Sequence, residues 1–293
     1  MILTWYPSNG RDPIVFTTND PEAEYLIVGK PVGFTEPSIY QQVTKHPNQS
    51  GSTWLGAPFN NRDLSFDCWL QESNQTNLQV ATRTLMGAFA VQEGPGTLVW
   101  TQEDGTDYTI LAIGNPGPVP YADVNNAQVN KQKFNIKLIA HDPYWYSGVW
   151  QRSDFSSTEV AFFPFDFPFD FTGEDSPLQQ LENEGDYDTP VYLLFTGPLT
   201  NPSFYNGTIN IAVTLTMTIA SGETVEIYTA KDEQYAIYHA TEGDTSAFPY
   251  LDYDTNLSDM VLKPGTNDCE LDTDSSGTGS SLMVQWRHKY GGI

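Results

Sequence analysis

Basic side chains are scarce in this sequence. It holds 13 Lys and Arg against 37 Asp and Glu in 293 residues, a formal charge of −24. Every approach to a nucleic acid phosphate would start from repulsion, which excludes phosphate-driven binding. Cysteine is scarcer still. Cys68 and Cys269 lie far apart on what read as inward strand positions, which predicts two small buried hydrophobes and no disulfide. No apolar run reaches the length of a membrane span, so no membrane insertion is expected. The opening MILTWYPSNGRD lacks a basic segment followed by an apolar one, so no signal peptide is expected either. Without an export signal, the N-x-S/T sequons at Asn48, Asn74, Asn206 and Asn256 read as chance in an Asn- and Thr-rich chain. Charged residues make up only 17% of the chain, while aromatics reach 13%, a balance that favours β-structure over helical bundles.

The length suits two domains, each with its own core. Pro13–Thr17 and Glu24–Val28 read as short strands around the turn TNDPEA. Residues 33–61, rich in Gly, Pro, Ser and Asn with little periodicity, read as a long loop. In RDLSFDCWL, Leu64, Phe66, Cys68 and Leu70 share one face and Asp63, Ser65, Asp67 and Gln71 the other. Trp69 interrupts the polar face and marks a candidate contact surface. Leu78, Ala81, Leu85 and Phe89 then fall at spacings of three and four, predicting one amphipathic helix over Thr76–Phe89 capped by Asn74 or Thr76. GTLVWTQEDGTDY reads as a hairpin turning at residues 103–106, with Leu98 and Trp100 facing Tyr108, Ile110 and Ala112. A Pro/Gly/Asn-rich loop over 114–130 precedes Phe134, Ile136, Leu138 and Ala140, one face of a further strand.

Composition shifts near residue 150, which sets the expected domains at 1–150 and 151–293. Phe163, Phe165, Phe167, Phe169 and Phe171 share one parity, with Pro and Asp on the other, the pattern of a sheet edge. Residues 174–188 read as an acidic linker or solvated loop. Ile209, Ile211, Val213, Leu215, Met217 and Ile219 alternate with polar residues and predict one long strand. Val225/Ile227, Tyr235/Ile237, Cys269/Leu271 and Leu282/Val284/Trp286 continue the two-residue period. Many short strands between turns read as a jelly-roll β-sandwich without a helix of any length. The expected fold is mainly β: two β-sandwich domains, the first with one amphipathic helix, the second jelly-roll or galectin-like.

No constellation carries chemistry. Asp252, Asp254 and Asn256 match the start of a calcium loop, but Leu257 replaces the required Gly and Lys263 the bidentate Glu. Asp272, Asp274, Ser276 and Gly277 fail at Met283, so both read as solvated turns. Asp166 and Asp170, four residues apart on a strand, would sit about 13 Å apart, too far for paired glycoside chemistry. His46, His141, His239 and His288 show no metal-ligand spacing, and His141 reads as a turn residue satisfying backbone groups. Gly94-Pro95-Gly96 is a turn, and no phosphate-cradling or nucleophile motif is present. Catalytic, cofactor-binding and metal-ligating residues are all expected to be none. Tyr250, Tyr253 and Trp286 are candidates for a sugar-stacking platform, although strand aromatics belong more often to a core.

The order strand, helix, hairpin, strand resembles the distal tail protein family of long-tailed bacteriophages. In the first half the resemblance rests on RDLSFDCWL, the helix ending LMGAF, GPGTLVWTQEDGTDY and AHDPYWY. In the second it rests on TPVYLLFTGPLTNPSFYN, ASGETVEIYT, LKPGTND and VQWRHKYGGI. The repeat at 162–171 departs from the family pattern. The resemblance implies a non-enzymatic virion protein at the tail tip, assembled in the host cytoplasm, whose members form a homo-hexameric ring. The ring joins the tail tube protein to a tail-associated hub or lysin protein. The second, galectin-like domain projects outward toward receptor-binding proteins or host glycans, and DNA passes through the ring without specific binding. Long segments such as 33–61 and 114–130 are candidate clasps between copies, since a ring needs head-to-tail contacts. A carbohydrate-binding adhesion module is the alternative reading, and an acidic polysaccharide hydrolase a third.

Overall fold

A computed structural model describes residues 1–121, 128–156 and 178–293. The repeat at 162–171, with Asp166 and Asp170, lies outside the described residues. Among the described residues the chain is mainly β with one α-helix, and it divides into two compact units. One comprises Met1–Gly148 with Tyr290–Ile293, the other Val149–Lys289. Tyr290–Ile293 thus count with the first unit, a return that composition does not announce.

The first unit runs β1 (Ile2–Tyr6), β2 (Ile14–Thr17), β3 (Tyr25–Val32), β4 (Gln42–Thr44), β5 (Thr53–Gly56) and β6 (Arg62–Gln71). The helix α1 (Gln75–Ala88) follows, then β7 (Gly96–Thr101), β8 (Asp107–Gly114), β9 (Val119–Pro120), β10 (Lys131–Ala140) and β11 (Trp145–Ser147). Strand order is β11-β8-β7-β1-β2-β3-β6-β10-β9. β10 also pairs with β8 through Leu138↔Gly114 and Ile139↔Ile113, so the strands from β8 round to β10 close into one hydrogen-bonded circuit. Among the described residues β2 meets β3 in parallel at Thr17↔Leu26, while pairs such as β1–β2, β1–β7, β7–β8 and β6–β10 are antiparallel. β1, which the sequence reading passes over, sits between β2 and β7 and buries Leu3 and Trp5.

The two-residue and 3.6-residue periods determine which side chains enter this core. Leu64, Phe66, Cys68 and Leu70 point inward opposite Phe134, Ile136 and Leu138, as expected. The β7–β8 register places Leu98 on Ile110 and Trp100 on Tyr108. Asn74 caps α1 by accepting from the Asn77 N–H at 2.9 Å, which satisfies one of the orphan donors of the first turn. Leu78, Ala81, Leu85 and Ala88 turn into the core. Phe89, just past the helix, stacks on Trp5 with ring centroids 4.7 Å apart, and Trp5 Nε1 donates to the Ala88 carbonyl at 2.8 Å.

The second unit contains β12 (Gln151–Phe155), β13 (Gln179–Asn183), β14 (Thr189–Thr196), β15 (Leu199–Thr200), β16 (Ser203–Asn206), β17 (Ile211–Thr214) and β18 (Thr218–Ile219). It continues with β19 (Thr224–Tyr228), β20 (Tyr235–Ala240), β21 (Gly243–Ser246), β22 (Val261–Leu262), β23 (Gly265–Asp272), β24 (Ser275–Ser276) and β25 (Ser281–Trp286). One sheet runs β12-β25-β14-β19-β20-β21 and another β13-β23-β16-β17. Phe155, Leu193, Phe204, Val225, Leu271 and Val284 belong to its single core. Among the described residues its helical segments are single 3₁₀ turns at Phe248–Tyr250 and Leu257–Asp259.

Three expectations are corrected here. The strand read over 209–219 is broken into β17 and β18, because the chain leaves β16 for β15 in a different sheet. Leu215 N–H then bonds the Pro202 carbonyl and Thr216 N–H that of Tyr250. Val213, Leu215 and Ile219 stay buried across the break, so alternation survives a change of sheet. The segment read as a linker holds β13, whose inward positions are Leu181 and Asn183. Asn183 is satisfied there by donating to the Tyr187 and Leu262 carbonyls. In β20 the inward residue is Ala236, while Tyr235 and Ile237 are half-buried on the other face.

Candidate assembly surfaces

The segment 33–61 is a hairpin on a fixed base, and the loop expectation is corrected accordingly. β4 and β5 pair antiparallel with Val43 opposite Trp54 and, among the described residues, form a two-stranded sheet of their own. Asn48 at φ 64° and Gly51 at φ 83° supply the left-handed residues of the turn. Gln49 closes it, accepting from His46 N–H at 3.0 Å and donating to Thr53 Oγ1 at 3.0 Å. The base is held by Tyr40 N–H to Pro58 O and Asn60 N–H to Ser38 O, and Phe59 packs edge-on against Tyr144.

Arg62 anchors the start of this excursion. The side chain is 1% exposed and donates to the carbonyls of Pro143 (2.6 Å), Gly33 (2.7 Å), Thr35 and Gly291. Burial pushes the guanidinium pKa down to about 10, with Asp142 drawing it back up. It remains charged at neutral pH, solvated by carbonyl dipoles arranged around its planar fork. The parity of β6 was the available signal, since position 62 falls on the same face as Leu64.

Beyond that base, apolar side chains reach solvent. Val43 is 52% exposed, Trp54 65% and Leu55 63%. A two-stranded hairpin is marginal in water unless something packs on it. A Trp-Leu pair between Gly51 and Gly56 in an otherwise polar stretch was the sequence trace of this surface.

The other candidates do not converge. Trp286 is 5% exposed and donates from Nε1 to the Glu182 carbonyl at 3.1 Å, so its ring is core and the sugar-platform reading loses it. Tyr250 and Tyr253 remain exposed, Tyr253 almost fully. His46 and His141 are exposed, His288 is buried, and His239 bridges Asp244 and Glu226. Asp274 accepts from Asn201 at 2.6 Å. Among the described residues no three His, Cys, Asp or Glu gather as a metal would require. Both cysteines are free and buried, and burial pushes each thiol up to about 12, leaving it protonated and unreactive. Trp69 is half-buried on the outer face of β6.

Residues 24–140 match the family described as the phage tail protein RIFT-related domain. The matched residues all lie within the first unit. No curated protein matches the sequence. Among solved structures the chain is similar to the SPP1 Dit (gp 19.1) protein, a paradigm of the hub adsorption apparatus in phages infecting Gram-positive hosts. That match has a TM-score of 0.65 at 14% identity and covers 98% of both chains. A chain of the phage P2 baseplate in its activated conformation with Ca matches over 100% of both chains, with a TM-score of 0.58 and 8% identity. The same baseplate with Sr gives 0.54 at 9%. At these identities the likeness shows a shared fold over the length of the chain, and fold alone.

Proposed function

We propose that this chain is a structural protein at the distal end of a phage tail. Six copies form a ring that joins the tail tube protein above to a tail-associated hub or lysin protein below. The second unit carries receptor-binding proteins or contacts host glycans. The observation that bears most weight is the fold shared with SPP1 Dit over 98% of both chains, both units included. The phage tail domain at 24–140 supports the same reading, as does the apolar hairpin β4–β5, which suits a clasp between copies. A ring of identical copies needs heterologous contacts that close by rotation. Part of the charge of −24 per copy faces the central channel, where like charge lets DNA pass without adhering. The chain's role is to hold neighbours in place, with no reaction of its own.

Light scattering on the purified chain, followed by negative-stain imaging, tests the ring. Sixfold particles with an open centre are expected. A monomer at every accessible concentration would contradict the proposal.

A further inference from the structure

The strands β2, β1, β7 and β8 lie side by side, and their registers fix which residues share the outer face. One row across it is Val15, Thr4, Val99 and Thr109, and the next is Tyr6, Thr97 and Leu111. A third row holds Thr17, Ile2, Thr101 and, at the corner, Asp107, the one charged residue among these outward positions. The neighbouring outer face of β6 and β10 is different, carrying Asp63, Asp67, Lys133 and Lys137. Sheet faces that meet only water alternate apolar-in with polar-out and normally carry charge. Here Ile2, Tyr6, Val15 and Leu111 stand exposed together. Single exposed hydrophobes need no explanation, but a contiguous patch marks a contact.

Resting on the ring reading, we propose that this face receives the hairpin β4–β5 of a neighbouring copy of the same chain. A head-to-tail contact needs two different patches on each copy, and this chain displays two, both left exposed in the single copy. Each copy bears −24, so two copies repel, and least at short range where they meet on patches without carboxylates. The paired strands QVT and TWLG of the hairpin carry no charge, and neither does the receiving face away from its Asp107 corner. Val43, Trp54 and Leu55 bring apolar surface to match the exposed Tyr6, Val15 and Leu111. Trp54 is the anchor, an aromatic pressed against β-branched and Thr side chains.

The full chain is tested as two complementary variants, each checked for wild-type circular dichroism and melting. Trp54→Glu spoils the hairpin and leaves the face intact. Leu111→Glu, with Val15→Lys as an independent second substitution, spoils the face and leaves the hairpin intact. Each alone is expected to weaken assembly by about thirtyfold or more. Mixed together, the two are expected to form a 1:1 heterodimer that grows no further, because one intact hairpin meets one intact face. Face variants that assemble as wild type does, or a mixture that stays monomeric, would overturn this docking and leave the ring standing. A monomeric wild type would overturn both.

Discussion

Arg62 Nη2 donates to the carbonyl of Gly291, so a side chain at the start of β6 holds residues that return from the far end of the chain. The same guanidinium binds Gly33 and Thr35, where the hairpin excursion begins. Ile293 N–H adds a bond to the Phe34 carbonyl at 3.2 Å, beside the same anchor. One buried cation thus fixes both the base of a proposed clasp and the C-terminal residues.

Replacing that cation by lysine is not conservative. Arg62→Lys keeps the charge but cannot supply a planar fork, so several carbonyls lose their donor. A loss of about 1–3 kcal/mol in unfolding free energy is expected, because buried groups left unpaired carry their desolvation cost. Deleting Gly291–Ile293 should cost a similar amount. Thermal melts of the full chain check both, and unchanged melting for both would remove Arg62 from its anchoring role.

Gly33 and Gly51 form a matched pair. Both have positive φ, 88° and 83°, but a Cβ on Gly33 would lie 1.9 Å from the Asp63 carbonyl oxygen, whereas Gly51 has nothing within 4 Å. Gly51→Ala should cost only the left-handed backbone, about 1–2 kcal/mol. Gly33→Ala should cost more, since the β3–β6 edge must also shift. Equal losses in chemical denaturation would contradict this packing.

The helix makes a graded test. Leu85 is fully buried, so Leu85→Ala is expected to lose about 2–5 kcal/mol. Asn74→Ala removes only the cap and should lose about 1 kcal/mol. The reverse order in denaturant unfolding would contradict a helix docked on the core.

Two histidines of the second unit should respond to pH in opposite directions. His239 Nδ1 lies 2.8 Å from Asp244 Oδ1 and Nε2 lies 3.1 Å from Glu226 Oε2. The bonds to Asp244 and then Glu226 raise its pKa, with desolvation acting the other way. A raised folded pKa means the contribution is complete below the unfolded value of about 6.5 and is lost as pH rises through the folded one. His239→Asn should therefore cost more stability at about pH 5 than at about pH 8. For His288 burial lowers the pKa, while Glu184 and Glu182 pull it back. Its ring accepts from Glu184 N–H at 3.0 Å, and its contribution is present above the unfolded value and lost as pH falls toward the folded one. His288→Asn should flatten the acid side of the stability profile. Parallel pH profiles for wild type and both variants would contradict the assignment.

What could be read from the sequence follows from how each element buries its residues. β6, α1, the β7–β8 hairpin and β10 each bury one regular face, so Leu64, Leu85, Leu98 and Phe134 announced themselves by spacing alone. β4 and β5 did not, because strands of three and four residues among turn formers bury nothing within their own chain. β13 was hidden by polar residues at outward positions and by Asn183 at an inward one. Over 209–219 the alternation was read correctly, but a two-residue period is blind to a change of partner sheet. The candidate assembly surfaces are legible only in part: 33–61 stands out as a candidate clasp, whereas outward positions such as Tyr6, Val15 and Leu111 read from pattern alone as solvent-facing.

The most direct test is to locate the chain in an intact virion by cryo-electron microscopy of the tail. The account predicts a ring of this polypeptide at the end of the tube farthest from the capsid, with the β4–β5 hairpin of each copy crossing onto the next. Finding it elsewhere in the particle, or as isolated copies without mutual contact, would contradict it.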